Sequence, residues 1–210
     1  MRFVNINAEL VSKQSYKDIL DVVEHGIRVC YKSESNITEG SAEHMVRAMI
    51  KCTHEATLEH GSLTFKIICD RATSHQIERS RTFSYNEMSQ RYCDFSKDKF
   101  ECVSFLIPES MPLNATDRFM EMCTEAESSY YELLKLGLKP EVARSVLPNC
   151  TATEVYMTGN IRNWRHFLSL RLDTHAQADI RNLAHQILDI FHCKYPVFVE
   201  DLWAEYGNKK

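Results

Sequence analysis

Residues Gln76–Tyr92 read Q-I-E-R-S-R-T-F-S-Y-N-E-M-S-Q-R-Y and carry more charged and hydrogen-bonding side chains than a fold alone requires. Three of them are arginines: Arg79, Arg81 and Arg91. Guanidinium groups offer paired, planar donors that match phosphate oxygens, and serine hydroxyls with free backbone N–H groups can complete such a site. The stretch therefore indicates a site for a small anion, most simply a phosphate ester.

A solvated helix end is the alternative interpretation of the same stretch. Glu78 and Glu87 could neutralise the arginines there, because exposed ion pairs contribute only about 0–1 kcal/mol to stability and are common on surfaces. Spacing alone does not decide between an anion site and a charged surface.

The chain as a whole is mildly acidic, which restricts the anions that it can bind. Its 210 residues carry a formal net charge of −4, with 44% hydrophobic and 26% charged residues. Such a protein repels nucleic acid, so an anion site must be a local basic cluster. We expect one globular domain over residues 1–210 that binds a small anion and no nucleic acid.

The expected compartment follows from the N-terminus and the cysteines. The N-terminal residues hold no apolar segment of signal-peptide length, and no run approaches the ~20 apolar residues that span a bilayer. Eight cysteines are scattered without a C-x-x-C pair, which argues against a zinc ribbon or a dithiol redox site. We expect a cytoplasmic protein without membrane contact, with cysteines that are mostly small core residues.

Residues 53–60 (T-H-E-A-T-L-E-H) contain four potential metal ligands: His54, Glu55, Glu59 and His60. Two histidines with this separation on an apparently non-helical turn match no known ligand spacing. We predict local hydrogen bonds or a cofactor contact at this turn, and no metal.

Hydrophobic periodicity predicts a mixture of strands and helices. Strands are predicted over residues 2–10, 62–69, 102–107 and 150–157, and helices over residues 15–30, 41–52, 71–81, 116–136, 139–148, 161–172 and 175–192. Between them, residues 83–92 are predicted as a loop that enters a short strand.

Side chains at the helix starts give three further predictions. Ser15 and Asn160 are predicted N-caps, because a short side-chain oxygen accepts the free N–H groups of a first turn. Thr174 and Gln177 fit a capping box, so Gln177 has a structural explanation, whereas Arg171 has none.

The arginine stretch resembles the signature of the flavin-dependent thymidylate synthases, the ThyX family, in which Arg-His-Arg is followed by seven residues and a serine. Here Arg79-Ser80-Arg81 precedes residues 82–88 and Ser89, and the match continues through Arg91 and Tyr92. Ser80 stands where the family has histidine. Any role of that histidine in flavin binding or proton transfer is therefore altered in this chain.

Three other segments are similar to elements of the same family. Residues 54–60 resemble its His-Glu-x-x-x-Glu-His turn at the flavin. Residues 141–148 resemble Glu-x-Ala-Arg-x-x-Leu-Pro, whose arginine reaches a nucleotide phosphate, and residues 170–177 resemble Leu-Arg-x-x-x-His-Ala-Gln. The matches occur in the order of the family.

The resemblance implies an α+β fold, a single domain with a central, mostly antiparallel sheet flanked by long helices. The nucleotide-binding residues that it implies are Gln76, Arg79, Glu87, Met88, Ser89, Gln90, Arg91, Arg144 and Arg171. The flavin-binding residues are His54, Glu59, Arg79, Ser80, Arg81, Asn160, Arg162, His166 and His175. Arg171 is also the predicted catalytic residue, since it would stabilise an N3-deprotonated uracil ring by about 1.5–3 kcal/mol and raise the electron density at C5.

The function that the resemblance implies is reductive methylation of dUMP to dTMP. Methylenetetrahydrofolate supplies the carbon, NADPH supplies the electrons, and FAD carries both, so the protein provides positioning and electrostatics without a nucleophilic thiolate. The implied assembly is a homotetramer with shared active sites.

Two alternatives remain at this point. One is a flavin-dependent pyrimidine hydroxymethylase of the same family, motivated by Ser80. The other is a non-catalytic nucleotide-binding or RNA-binding protein, against which the net acidity and the lack of repeated aromatic-basic stacking motifs both count.

Overall fold

The computed structural model of the protein describes residues 1–12 and 14–207. Its strands are β1 (Arg2–Phe3), β2 (Asn7–Leu10), β3 (Ser62–Asp70), β4 (Ser84–Glu87), β5 (Ser104–Phe105) and β6 (Ala152–Asn160). Its α-helices are α1 (Tyr16–Tyr31), α2 (Ser41–Lys51), α3 (Arg71–Ile77), α4 (Leu113–Lys135), α5 (Pro140–Ala143), α6 (Ile161–Arg171), α7 (Ala178–Lys194) and α8 (Glu200–Tyr206).

Four strands form one antiparallel sheet in the order β2, β3, β6 and β4. The central strands β3 and β6 pair from Ser62 opposite Asn160 to Asp70 opposite Ala152. Side chains of β3 alternate between the two faces, which leaves Phe65 and Ile67 fully buried on one of them. The sheet and the long helices confirm the predicted α+β fold.

Helices α6 and α7 cover the buried face of this sheet. Trp164 of α6 is fully buried, its ring centroid lies 4.8 Å from that of Phe65, and its Nε1 donates to the Leu63 carbonyl at 3.1 Å. Phe83, which follows the first arginines of the signature, packs against Trp164 with ring centroids 4.7 Å apart. The arginine stretch is therefore anchored in the main core by Phe83.

A second hydrophobic cluster lies beneath α4, where β1 pairs with β5 in parallel. Phe105 and Tyr130 are fully buried there, and so is Ala143, the last residue of α5. The cluster fixes the position of the segment that begins with Arg144.

Within residues 1–12 and 14–207, no helix combines the length and apolar content needed to cross a bilayer.

Two predicted caps are confirmed and one prediction is wrong. The Ser15 hydroxyl accepts from the Asp18 N–H while the Asp18 carboxylate accepts from the Ser15 N–H, and Asn160 Oδ1 accepts from the Asn163 N–H at 2.8 Å. The capping box of Thr174 and Gln177 does not form. Helix α7 begins after Gln177, and the Gln177 side chain bonds to Gln76 and Asp179 instead.

The predicted strand over residues 2–10 is interrupted, because its two halves join different sheets. β1 pairs with β5, whereas β2 pairs with β3, and the Val4 N–H donates to Phe105 as the chain crosses between them. Of the strand predicted over residues 102–107, only Ser104 and Phe105 form a strand, β5, which pairs with β1. The last strand is longer than predicted and reaches Asn160.

Helix α3 ends at Ile77 and not at Arg81 as predicted. The Ser80 N–H donates a hydrogen bond of 3.0 Å to the Ile77 carbonyl. The Tyr85 hydroxyl hydrogen-bonds to the carbonyls of Ile77 and Ser80. Arg79 therefore lies in a turn rather than on the helical face that carries Gln76. The predicted helix over residues 139–148 is likewise shorter, since α5 continues as a single 3-10 turn, Arg144–Val146.

Candidate functional site

The last turn of α3 contacts the segment that joins α6 to α7. Arg171 Nη2 donates a hydrogen bond of 2.8 Å to the backbone carbonyl of Gln76. The Gln76 side chain donates to Gln177 Oε1 at 2.8 Å, and Gln177 donates to Asp179 Oδ2 at 2.9 Å. Two predicted nucleotide-binding residues from distant parts of the chain, Gln76 and Arg171, therefore meet.

Arg171 supports the end of α3 through its hydrogen bond to Gln76. The sequence pattern around Arg171 does not indicate this structural role. The residue is half-buried, and its Nε atom is buried without a partner among the described residues. The contact with Gln76 engages Nη2, so within the described chain Nη1 is the terminal nitrogen left for a ligand.

Tyr85 supports the turn that carries the predicted arginines. Its hydroxyl donates to the carbonyls of Ile77 at 2.9 Å and Ser80 at 2.8 Å. Burial raises the pKa of Tyr85 to about 12, and the negative charge of Glu78 acts in the same direction, while the Arg171 guanidinium opposes them. The hydroxyl therefore remains a donor at neutral pH. The tyrosine is part of the quoted signature, but its role depends on a turn that the sequence does not reveal.

The first turn of α6 joins two of the predicted flavin segments. Arg162 Nη1 contacts Glu59 Oε1 at 2.6 Å, which connects α6 to the turn Glu55–His60. Asn163 Nδ2 donates to the Thr82 carbonyl at 2.8 Å, which connects α6 to the arginine turn. The structure therefore brings three predicted flavin-binding segments together at this helix start.

A cavity of about 440 Å³ lies beside the same helix start. It lies between α1, α2 and the Glu55–His60 turn, and the residues around it include Ile27, Tyr31, Met49, His54, Thr57 and Arg162. The Thr57 hydroxyl is buried and has no hydrogen-bond partner in the described part of the chain. The cavity thus combines apolar walls with hydrogen-bonding groups, as expected of a cofactor site.

Several predicted ligand-binding side chains are exposed and have no bonding partner of their own. Across residues 1–12 and 14–207, no side-chain hydrogen bond or ion pair is formed by Arg79, Arg81, Arg144, His54 or His166. Unpaired guanidinium groups at a surface are ready partners for an anionic ligand, since no internal ion pair has to be broken.

The segment Met88–Arg91, named here the phosphate turn, follows β4. The Met88 N–H donates to the Glu154 carbonyl at 2.9 Å, and the Arg91 N–H donates to Ser89 Oγ at 3.2 Å. The N–H groups of Ser89 and Gln90 form no hydrogen bond within the described residues. Of the predicted backbone donors in this turn, these two are therefore available to a ligand.

Arg71, which the sequence does not single out, holds the start of the phosphate turn. Its Nη1 lies 2.7 Å from Glu87 Oε2, and its Nη2 donates to the Met88 carbonyl at 2.6 Å. Hence Glu87, predicted to contact the nucleotide, uses its carboxylate in an internal ion pair. The sequence offers no local signal for this pair, because sixteen positions separate Arg71 from Glu87.

The predicted nucleotide-binding residues form two groups at the two ends of α3. Arg71 begins the helix beside the phosphate turn, while Gln76 lies in its last turn beside Arg171. Arg91 joins the first group to α5 through an ion pair of 2.9 Å with Glu141, and Arg144 follows α5 directly. Within one chain, the two groups are linked by α3, which spans about 10 Å.

His175 lies near Arg171 in sequence, at the surface between α6 and α7. Its Nδ1 is 2.7 Å from Asp173 Oδ1, and its backbone N–H donates to the same oxygen at 2.8 Å. These hydrogen bonds lower the pKa of the Asp173 carboxyl. The contact orients the imidazole and leaves Nε2 accessible.

The two glutamates among the potential metal ligands of residues 53–60 bind different arginines. Glu55 contacts Arg165 at 3.1 Å and Glu59 contacts Arg162 at 2.6 Å. In the part of the chain that the structure describes, no group of three or more histidine, cysteine, aspartate or glutamate side chains is arranged to hold a metal ion.

Comparisons with known proteins agree with the resemblance seen in the sequence. Residues 9–197 match the family model described as thymidylate synthase complementing protein. A flavin-dependent thymidylate synthase of Pyrococcus furiosus is 32% identical over 181 residues, which cover 85% of this chain and 74% of that protein. The enzyme of the same name from Mycobacterium tuberculosis is 35% identical over 187 residues, covering 80% and 73%.

A solved structure extends the similarity to the whole fold. The crystal structure of the UMP/dUMP methylase PolB from Streptomyces cacaoi, bound with 5-Br dUMP, superposes with a TM-score of 0.79 at 28% identity. The match covers 99% of this chain and 98% of that one. These relatives confirm the predicted family and do not favour the hydroxymethylase or the RNA-binding alternative. The chain belongs to the family of flavin-dependent thymidylate synthases.

Proposed function

We propose that the protein methylates dUMP reductively at C5 of uracil to give dTMP, with methylenetetrahydrofolate as carbon donor and NADPH as reductant. The observation that carries the proposal is the hydrogen bond from Arg171 to the Gln76 carbonyl, because it joins the two segments that resemble the nucleotide site of the family. The names of the relatives, and the 5-Br dUMP bound to the solved methylase, support the same substrate class.

Different residues would bind the different parts of the nucleotide. The phosphate would accept from the Ser89 and Gln90 N–H groups and from the guanidinium groups of Arg91 and Arg144. Gln76 and Arg79 would bind the remainder of the nucleotide. Arg171 would face the uracil ring and stabilise negative charge on it, so that C5 becomes more electron-rich.

The residues at the start of α6 fit a flavin, which we propose to be FAD. Two groups without internal partners, Arg79 and Arg81, suit its diphosphate, and the buried Thr57 hydroxyl lacks a partner within the described chain. Ser80, His54, Glu59, Asn160, Arg162, His166 and His175 complete the proposed flavin set. Bound FAD would supply the redox chemistry, and the residues would hold and orient it.

We further propose that the chain acts as one domain over residues 1–210 in a cytoplasmic homotetramer with shared sites. Support comes from the two groups of nucleotide-binding residues at opposite ends of α3. In the tetramer, Arg91 and Arg144 of one chain would approach Gln76 and Arg171 of a neighbouring chain. The two groups would then form one shared nucleotide site. Gel filtration with light scattering measures the assembly directly.

Anaerobic turnover tests the proposed reaction. Purified protein should be yellow or should take up added FAD, and labelled dUMP with folate donor and NADPH should give dTMP by mass spectrometry. UMP is tested alongside, because the solved relative is a UMP/dUMP methylase. A hydroxymethylated product would support the alternative enzyme. Colourless protein that also fails to bind FAD would contradict the proposal.

A further inference from the structure

We propose that Arg71 is a positioning residue for the nucleotide: it fixes the phosphate turn in the conformation that binds the phosphate group. This inference rests on the proposed function and adds a residue that lies outside the four short motifs quoted from the sequence. Arg71 contacts no ligand in this role, since it acts through Glu87 and Met88.

The backbone of Arg71 is itself firmly held. Its N–H donates to the Thr151 carbonyl at 3.1 Å, and the preceding residue, Asp70, caps α3 by accepting from the Thr73 N–H at 2.7 Å. The guanidinium therefore extends from a fixed point at the junction of β3 and α3. A side chain anchored in this way can define the position of a neighbouring loop.

The Arg71 guanidinium binds two acceptors that flank the entry to the turn. It contacts the Glu87 carboxylate at 2.7 Å and the Met88 carbonyl at 2.6 Å. The Met88 N–H is held on its other side by Glu154 in the sheet. Both polar groups of the Met88 backbone are thus engaged, so the direction in which the chain enters Ser89 and Gln90 is fixed.

Charge gives the second reason for this role. Glu87 directly precedes the turn, and an uncompensated carboxylate there would repel a phosphate dianion. The side chains of Arg71 and Glu87 are only 14% and 17% exposed, so solvent screens this pair less than the exposed pairs of the chain. Arg71 therefore neutralises the carboxylate that directly precedes the proposed phosphate site.

Arg71 is unsuited to bind the phosphate itself. Both of its terminal nitrogens are engaged, and its Nε is buried without a partner among the described residues. The side chain is only 14% exposed, so a ligand can reach little of the guanidinium while it binds Glu87 and Met88. The geometry therefore assigns the guanidinium to the turn and not to the ligand.

Steady-state kinetics and dUMP titration of the FAD-loaded enzyme test the inference with three variants. Arg71→Met should raise the KM and Kd for dUMP by about tenfold to a hundredfold, while kcat and FAD affinity stay within about threefold of wild type. Arg71→Lys keeps the charge but not the two-pronged contact, so it should restore part of the affinity. Arg47→Met is the matched control, since Arg47 likewise makes a two-pronged contact, with Glu200, but remote from the turn.

The outcomes separate this inference from the proposed function. Wild-type enzyme that binds no dUMP would overturn both. Wild-type enzyme that binds dUMP, together with an Arg71→Met variant of unchanged KM and Kd, would overturn the inference alone. If Arg71→Met does not fold, Arg71→Lys decides, and dUMP affinity equal to wild type in that variant contradicts the positioning role. A kcat loss with unchanged KM would also contradict it.

Discussion

Arg171 Nη2 lies 2.8 Å from the carbonyl oxygen of Gln76, which it uses as a hydrogen-bond acceptor. The bond connects the end of α6 to the last turn of α3, and Gln76 strengthens the connection through its side-chain contact with Gln177. A guanidinium held by a backbone carbonyl loses little freedom when it binds a ligand. Arg171 is therefore held in place before a ligand binds, as its proposed contact with a uracil ring requires.

Replacing Arg171 should abolish most of the turnover without unfolding the protein. We expect Arg171→Ala to reduce kcat/KM for dUMP by about a hundredfold, because a charge-assisted contact with the uracil is lost. Single-turnover kinetics and circular dichroism measure the two effects separately. Arg118→Ala is the control, since Arg118 pairs only with exposed Glu121 and Glu125 on α4 among the described residues. Normal turnover by Arg171→Ala would show that the assigned role is wrong.

Arg162 should contribute to flavin affinity much more than to stability. Its ion pair with Glu59 is about half-exposed on both sides, and such pairs typically contribute about 0–1 kcal/mol to folding. We expect Arg162→Ala to shift Tm little but to weaken FAD binding by about tenfold, as measured by fluorescence titration. Glu59→Gln retains a hydrogen-bonding partner for Arg162 and should bind FAD more tightly than Arg162→Ala does. Unchanged FAD affinity in Arg162→Ala would remove the residue from the flavin set.

Ser80→His should be tolerated, because the turn uses only the backbone of Ser80. Its N–H donates to the Ile77 carbonyl and its own carbonyl accepts from Tyr85, and neither bond depends on the side chain. The substitution restores the Arg-His-Arg pattern of the family. We expect equal or higher affinity for FAD, measured by titration of the apoprotein, with Tm close to that of wild type. A variant that folds but binds FAD less tightly would contradict this expectation.

Local motifs explain why the helix caps and much of the fold were predictable, whereas the contacts that position the candidate site were not. Ser15 and Asn160 cap helices through contacts three residues away, so a short window of sequence contains all the required information. The end of α3 was not predictable, since it depends on Tyr85 reaching back to the turn. The role of Arg71 was not predictable for the same reason: it begins a helix, whereas it binds the last residue of β4 and the residue that follows it. The break between β1 and β2 likewise reflects pairing with β5, which is remote in sequence.

The hydroxyl of Tyr85 should make stability depend on pH in the alkaline range. Burial raises its pKa from 10.0 to about 12 in the folded protein, so the folded state retains a proton that the unfolded state releases. The resulting stabilisation is complete below about pH 10 and is lost as the pH rises from about 10 to about 12. Tyr85→Phe should show a smaller fall in the free energy of unfolding over this range, measured by urea denaturation. Tyr131, whose pKa burial also raises to about 12, accounts for part of the remaining fall. Identical pH dependence in the variant and wild type would contradict the assignment.

Gly159 leaves the space in which Phe83 anchors the arginine turn. A Cβ atom added at Gly159 would lie 2.3 Å from two carbon atoms of the Phe83 ring, so Gly159→Ala must displace that ring from its contact with Trp164. We expect a loss of about 1–3 kcal/mol in the free energy of unfolding, as for other overpacked cores. FAD affinity should fall as well, because Arg81 lies two residues before Phe83.

A double-mutant cycle with Phe83→Ala isolates the steric cause. Each substitution alone should destabilise the protein, but Gly159→Ala should cost much less once the aromatic ring is absent. Urea denaturation of the four proteins gives the coupling free energy. Additive effects would mean that Gly159 is required for the backbone of β6 rather than for the Phe83 ring. Coupling of the expected sign would connect the packing of a core aromatic residue to the position of the proposed flavin-binding arginines.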